Sequence, residues 1–338
     1  MEPSKYSSSE TENKEKQIEI KLKIKLDEKS DEIYKIYELS DERLGVELDQ
    51  DIKIYSLKNF QKITEIHHSE NINNSIELKN KDIAITGYNI VYFYKLSENN
   101  NYIYYKKIEL EEKNKIFEIY ELNNENLILC IRRDLLVYTK QKEEYKFLIN
   151  FELDETVGKI LEIKNNILFL FLFSRCRTFA TADYSPYYLQ IIDIEKQIIY
   201  EIKDGHFSRK DDKYTFYGCN ILYNENNKYL FTRYANSFDI YDINDIENDN
   251  IKCIYSINRK NNLSQFPIDF ESLCSYENNF IILPSQDIYK FDEMKKKIIF
   301  LKKFPIKIDK IIDMIKLKKH NNIYIAHSKN ELYIINNN

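Results

Sequence analysis

Short apolar runs bounded by polar turns fill the chain from about residue 19 to its end. No stretch shows the 3.6-residue period of an amphipathic helix, so the pattern predicts strands throughout. One kind of run recurs. Ile52-Lys53-Ile54-Tyr55-Ser56 is matched by Val91-Tyr92-Phe93-Tyr94-Lys95 and Leu135-Leu136-Val137-Tyr138-Thr139. Leu189-Gln190-Ile191-Ile192-Asp193, Phe238-Asp239-Ile240-Tyr241-Asp242, Ile288-Tyr289-Lys290-Phe291-Asp292 and Leu332-Tyr333-Ile334-Ile335-Asn336 continue the series. These runs start at 52, 91, 135, 189, 238, 288 and 332, a spacing of 39 to 54 residues. That spacing suits a repeat made of one small sheet.

A second signal keeps phase with the first. A polar pair stands before each preceding apolar strand: Asp41-Glu42, Asn80-Lys81, Asn123-Asn124, Asn165-Asn166, Asn226-Asn227, Asn278-Asn279 and Asn321-Asn322. Asn tolerates the left-handed backbone of tight hairpins, so it is expected to replace glycine, of which the chain has only 5. Only the fourth repeat breaks phase, where a long loop, Ser174–Tyr187, intervenes.

Each repeat reads as four strands, as in Ile116–Leu122, Leu127–Ile131, Leu135–Tyr138 and Tyr145–Phe151. Inner strands such as Ile167–Phe173 and Phe280–Leu283 are continuous apolar runs, the mark of burial on both faces. Outer strands such as Lys252–Ile257 alternate. The seventh repeat has three strands before the chain reaches Asn338, while Glu19–Leu26 alternates strictly and belongs to no repeat. Placing that N-terminal strand on the last repeat would cover an exposed sheet edge. The expected fold is therefore all-β, a seven-bladed β-propeller over residues 16–338 closed by an N-terminal strand, with residues 1–15 a disordered polar tail.

Composition narrows the function. Hydrophobic residues make up 43% and charged residues 31%, as in soluble globular domains. A formal net charge of −5 argues against bulk binding to nucleic acid. The five cysteines form no Cys-x-x-Cys pair, so neither a disulfide framework nor a zinc site is indicated. The longest apolar run, Ile167–Phe173, is too short to be a transmembrane segment, though peripheral membrane contact stays open. A cytoplasmic location is expected, with the nucleus as another intracellular option.

Through these repeats the chain resembles the WD-repeat family, whose blades end their third strand in Trp-Asp and often begin near Gly-His. Tyr241-Asp242, Phe291-Asp292 and Ile192-Asp193 stand at the Trp-Asp position, and Gly205-His206 precedes the first of them. The other blades end in Tyr55-Ser56, Tyr94-Lys95, Tyr138-Thr139 and Ile335-Asn336. The resemblance implies a scaffold or adaptor that docks other proteins on its faces.

A search for chemistry finds little. Gly158-Lys159 lacks the rest of a phosphate-binding loop, and His67-His68 with Glu70 reads as a solvated loop between blades. His320 and His327 read as surface or turn. No catalytic residue, metal ligand or cofactor site is assigned, so a non-enzymatic role is expected.

One distribution is uneven. Of eight arginines, all but Arg43 lie between 132 and 259: Arg132, Arg133, Arg175, Arg177, Arg209, Arg233 and Arg259. Arg132 and Arg133 fall in the turn between second and third strands of the third blade. Arg175 and Arg177 open the equivalent loop of the fourth blade, and Arg233 nears it in the fifth. Arg209 and Arg259 fall in connections between blades, and Phe179, Tyr184, Tyr187 and Tyr188 add aromatic surface. Both loop types would share one face, giving an arginine patch suited to an acidic or phosphorylated segment of a protein partner. A phosphoinositide-binding propeller is the alternative. That family carries Phe-Arg-Arg-Gly on a late blade, where this chain has Ile131-Arg132-Arg133-Asp134 on the third. A propeller enzyme with an unrecognised site is the second alternative.

Overall fold

Twenty-eight strands and no helix occupy the described residues of the computed structural model. Those residues are 18–26, 32–111, 115–153, 156–173, 187–201, 220–224, 229–234, 237–242, 252–258, 272–276, 279–283, 286–292, 294–295, 297–304, 308, 311–320 and 323–337. The polar tail expected at 1–15 lies outside them.

After β1 (Ile18–Lys25), strands come in antiparallel fours, each pairing with the next in sequence. The first sheet holds β2 (Lys35–Leu39), β3 (Arg43–Glu47), β4 (Asp51–Ser56) and β5 (Lys62–His67). The second holds β6 (Asn74–Glu77), β7 (Ile83–Thr86), β8 (Ile90–Leu96) and β9 (Tyr102–Glu109). The third is β10 (Ile116–Glu121), β11 (Leu127–Ile131), β12 (Asp134–Gln141) and β13 (Glu144–Glu152). The fourth is β14 (Thr156–Lys164), β15 (Ile167–Phe173), β16 (Tyr187–Asp193) and β17 (Ile198–Glu201). The fifth is β18 (Asn220–Asn224), β19 (Tyr229–Tyr234), β20 (Ser237–Asp242) and β21 (Lys252–Asn258). The sixth is β22 (Ser272–Tyr276), β23 (Asn279–Leu283), β24 (Asp287–Asp292) and β25 (Lys297–Lys303). The last contains β26 (Asp313–Lys316), β27 (Ile323–His327) and β28 (Glu331–Asn337), and its fourth strand is β1, antiparallel to β28 from Ile18↔Asn337 to Lys25↔Glu331.

The burial gradient follows the sequence pattern. Every residue of β3, β7 and β11 is buried, whereas β9, β13 and β25 are mostly exposed. Sheets pack face to face, so the core is a series of layers. Ile54 and Ile66 meet Ile83 and Ile85 between the first two sheets. Cys130 and Val137 meet Leu168 and Leu170 between the third and fourth. Val46 and Leu44 meet Ile325 and Ile334 between the first and last. Each such side chain stabilises the fold by about 1.5–3 kcal/mol. A β-bulge falls just before Tyr55, Tyr94, Tyr138 and Tyr241, and all four tyrosines are buried. The recurring aromatic of the sequence repeat thus marks the bend that turns a side chain into the interface.

The hairpin turns differ from expectation. Positive φ occurs at Glu42, Lys81, Glu125 and Asn166, so Asn fills the left-handed position in only one of these four turns. Asn80 and Asn124 stand one residue earlier, where their Oδ1 atoms accept the N–H of Asp82 (3.2 Å) and Asn126 (3.1 Å). The asparagines brace the turns through their side chains.

Candidate functional site

In an antiparallel four-strand meander, the second-to-third connection and the exit to the next sheet emerge at the same end. A repeated bond fixes that end here. The first N–H after the fourth strand reaches the residue just before the third: His68 N to Gln50 O (2.8 Å), Leu110 N to Asn89 O (3.0 Å), Leu153 N to Arg133 O (2.6 Å) and Phe304 N to Gln286 O (2.7 Å).

Arg132 and Arg133 form a two-residue turn at this end, since Ile131 pairs with Asp134 across it. Arg132 has φ 41°, and both side chains are exposed. Asn150 Nδ2 donates to Asp134 Oδ1 at 2.9 Å, steadying the start of β12. The third, fourth and fifth sheets are neighbours through β10, β14 and β18, so the ends of β11, β15 and β19 lie on the same side. Tyr187 and Tyr188 open β16, where their backbones pair with Phe173 and Leu172. The backbone of Arg233 pairs with Phe238 near the corresponding end of β19. Arg175, Arg177, Arg209, Arg259, Phe179 and Tyr184 lie outside the described residues. Arg43 is the exception on the far side. It is buried, with its guanidinium 5.6 Å from the Tyr102 ring centre and 3.5 Å from Asp41.

A buried polar network at the same end was not legible as a unit in the sequence. Lys35 Nζ donates to Asn74 Oδ1 (2.6 Å) and Ser75 O (2.8 Å). Ser75 Oγ lies 2.5 Å from Glu47 Oε2 and 3.0 Å from the Tyr37 hydroxyl. Glu47 is 4% exposed, and burial pushes its carboxyl above the usual range against the pull of Lys35. The only sequence signal was a lone carboxylate closing the apolar run Leu44-Gly45-Val46-Glu47.

Two histidine readings are corrected. His68 is buried, with its ring 4.4 Å from that of Tyr92 and Nδ1 3.0 Å from the Tyr94 hydroxyl. Only His67 is exposed, with Nδ1 2.7 Å from Asp51. His327 is also fully buried at the end of β27, and burial lowers the pKa of both buried rings. The His68 ring, read as loop, is held inward by packing against Tyr92 and Tyr94 of the next sheet. Among the described residues no three His, Cys, Asp or Glu side chains converge as metal ligands.

Comparison with known proteins agrees with this geometry. A chain in the crystal structure of a mitotic checkpoint complex superposes with a TM-score of 0.67 at 7% identity, covering 99% of this chain and 97% of its own. A virginiamycin B lyase from Staphylococcus aureus gives 0.62 at 12% identity, covering 95% of this chain and 99% of its own. The fold is a β-propeller. No family model and no curated protein matches the sequence. At such identities the likeness carries the architecture alone, and function must be argued from the propeller's own faces. Among the described residues no helix is long and apolar enough to cross a membrane.

Proposed function

We propose that the chain is a closed seven-bladed propeller of WD-repeat kind over residues 16–338, its last blade completed by β1, and that it works as a non-enzymatic protein-interaction scaffold. The exposed Arg132-Arg133 turn is the observation that carries the reading. It is short, tied at its carbonyl by Leu153 N, and set at the end where β15 and β19 of the neighbouring blades also finish. Arginine forks presented by a rigid turn suit carboxylate or phosphate groups with little ordering cost. Arg175, Arg177, Arg209, Arg233, Arg259, Tyr184, Tyr187 and Tyr188 extend this face in the proposal. The partner is an acidic or phosphorylated protein segment, met inside the cell. One of the similar structures is a mitotic checkpoint complex, a protein assembly, which accords with a docking role. Fluorescence anisotropy with an acidic phosphoserine peptide tests the reading, comparing wild type with the Arg132→Glu/Arg133→Glu protein. Equal binding by the two proteins would remove this face from consideration.

A further inference from the structure

Propeller blades diverge outward, so each wedge between two blades is either filled by side chains or left open. Between the first and second blades it is filled. The His68 ring packs on Tyr92, and Tyr104 closes on Tyr92 and Tyr94 with ring centres 6.2 Å and 6.0 Å apart. Between the second and third blades the equivalent positions are smaller. Leu110 makes the bond after its fourth strand that His68 makes after its own, and Leu136 stands on β12 where Tyr92 stands on β8, two residues before the buried tyrosine at the bulge.

A cleft of about 550 Å³ results. Leu110, Ile131, Leu136 and Tyr138 give it an apolar floor, and Phe147, 57% exposed, forms its outer lip. Glu109, Glu111 and Asp134 stand around it, and among the described residues no basic side chain lines it. Lys107 offsets Glu109 at 2.6 Å, which leaves Glu111, and Asp134 with its hydrogen bond from Asn150, as the acidic groups of the lining. β13 is the last strand of its sheet, so its outer edge offers backbone donors and acceptors to an extended chain.

We propose that this cleft docks an extended segment of a partner protein in which a leucine or phenylalanine is flanked by lysine or arginine. The apolar side chain enters the gap over Leu136, and the cations meet Glu111 and Asp134. The cleft borders the arginine turn, since Ile131 and Asp134 line the one and flank the other, so a basic segment here and an acidic segment on the turn would be neighbours of opposite charge.

The test uses a fluorescein-labelled pentapeptide alternating lysine with leucine and phenylalanine, and its counterpart with glutamate for lysine. The lysine peptide is expected to bind the full chain about tenfold more tightly or better. Leu136→Tyr, which fills the cleft as Tyr92 fills the neighbouring wedge, and Glu111→Lys should each weaken it about tenfold. Glu98→Lys, an exposed change in the turn between β8 and β9 at the far side, should leave it unchanged. Should Leu136→Tyr fail to fold, the rim change Glu111→Lys carries the test alone. Equal affinity for the two peptides overturns the proposal, as does a loss on Glu98→Lys as large as that on Glu111→Lys. A concentration-dependent dimer abolished by Leu136→Tyr, without peptide binding, assigns the cleft to a second copy and overturns it too.

Discussion

Glu38 accepts a hydrogen bond from the backbone N–H of Lys318 at 2.6 Å, joining residues 280 apart in the chain. The same bond recurs around one side of the propeller. Glu77 accepts from Ser40 N (2.6 Å), Glu121 from Lys79 N (2.6 Å) and Glu162 from Asn123 N (2.8 Å). Each carboxylate near the end of a blade's first strand therefore caps the hairpin turn of the blade before it. Lys319 adds a second tie through Nζ to Ser40 O. Removing one clamp should cost about 1 kcal/mol. Glu38→Ala, Glu77→Ala and Glu121→Ala should each lower the urea midpoint, with Glu38→Gln costing less than Glu38→Ala because one acceptor oxygen remains.

Glu47 predicts the direction of a pH effect. Burial raises its folded pKa above the unfolded value near about 4.3, so its stabilising contribution is present below that value. The contribution is lost as pH rises through the folded pKa. Burial also raises Glu77 and Glu121, which act in the same sense. Glu47→Gln should therefore melt higher than wild type at pH 7.5, with the gap shrinking toward zero near pH 4. A gap that widened on acidification would contradict this account.

Gly45 pairs directly with Tyr37 across β2 and β3, and a Cβ at Gly45 would sit 2.6 Å from the Tyr37 ring. No real Cβ tolerates that approach, so Gly45→Ala must push the ring off the strand. The displacement also disturbs the Tyr37 hydroxyl beside Ser75. We expect a loss of about 1–3 kcal/mol. Tyr37→Leu in the Gly45→Ala background should recover part of it.

β1 gives a prediction about chain ends. Lys23 pairs with Glu331 at 2.9 Å, and Leu26, 5% exposed, joins the core between the last and first blades. Deleting residues 1–14 should leave the melting curve unchanged. Deleting 1–27 removes β1 and Leu26, bares the edge of β28, and should cause aggregation. Equal behaviour of the two truncations would count against β1 as the strand that completes the blade.

The strands and their period were readable because a two-sided buried strand must be apolar throughout, as Leu127–Ile131 is, and because turns need polar residues at fixed distances. The roles within turns were less readable. Left-handed backbone at Lys81 and Glu125 follows from the hairpin geometry that Asn side chains impose one residue earlier. Contacts between blades were not readable at all. Nothing local to Glu38, Glu47 or His68 says which neighbouring blade they meet. A polar residue beside an apolar run reads the same in sequence whether it ends in water or in an interface.

The arginine turn makes the sharpest functional prediction. Arg132 sits at φ 41°, a conformation glycine adopts without strain, so Arg132→Gly removes the charge without disturbing the turn. Arg133 is exposed, and its carbonyl accepts from Leu153 N by a bond that no side-chain change at 133 removes. Stability should therefore stay within about 0.5 kcal/mol of wild type in Arg132→Gly, and within about 1 kcal/mol in Arg133→Glu, which alters only contacts of an exposed side chain. Binding should not. Loss of one desolvated arginine contact costs about 2 kcal/mol, roughly a 30-fold fall in affinity for an acidic phosphoserine peptide. The wild-type affinity should also fall as salt rises, with a shallower slope in the double variant Arg132→Gly/Arg133→Glu. Glu42→Lys, on the opposite side, should leave the affinity unchanged. Were the double variant to bind as wild type does while melting at the same temperature, the propeller would stand and its docking face would lie elsewhere.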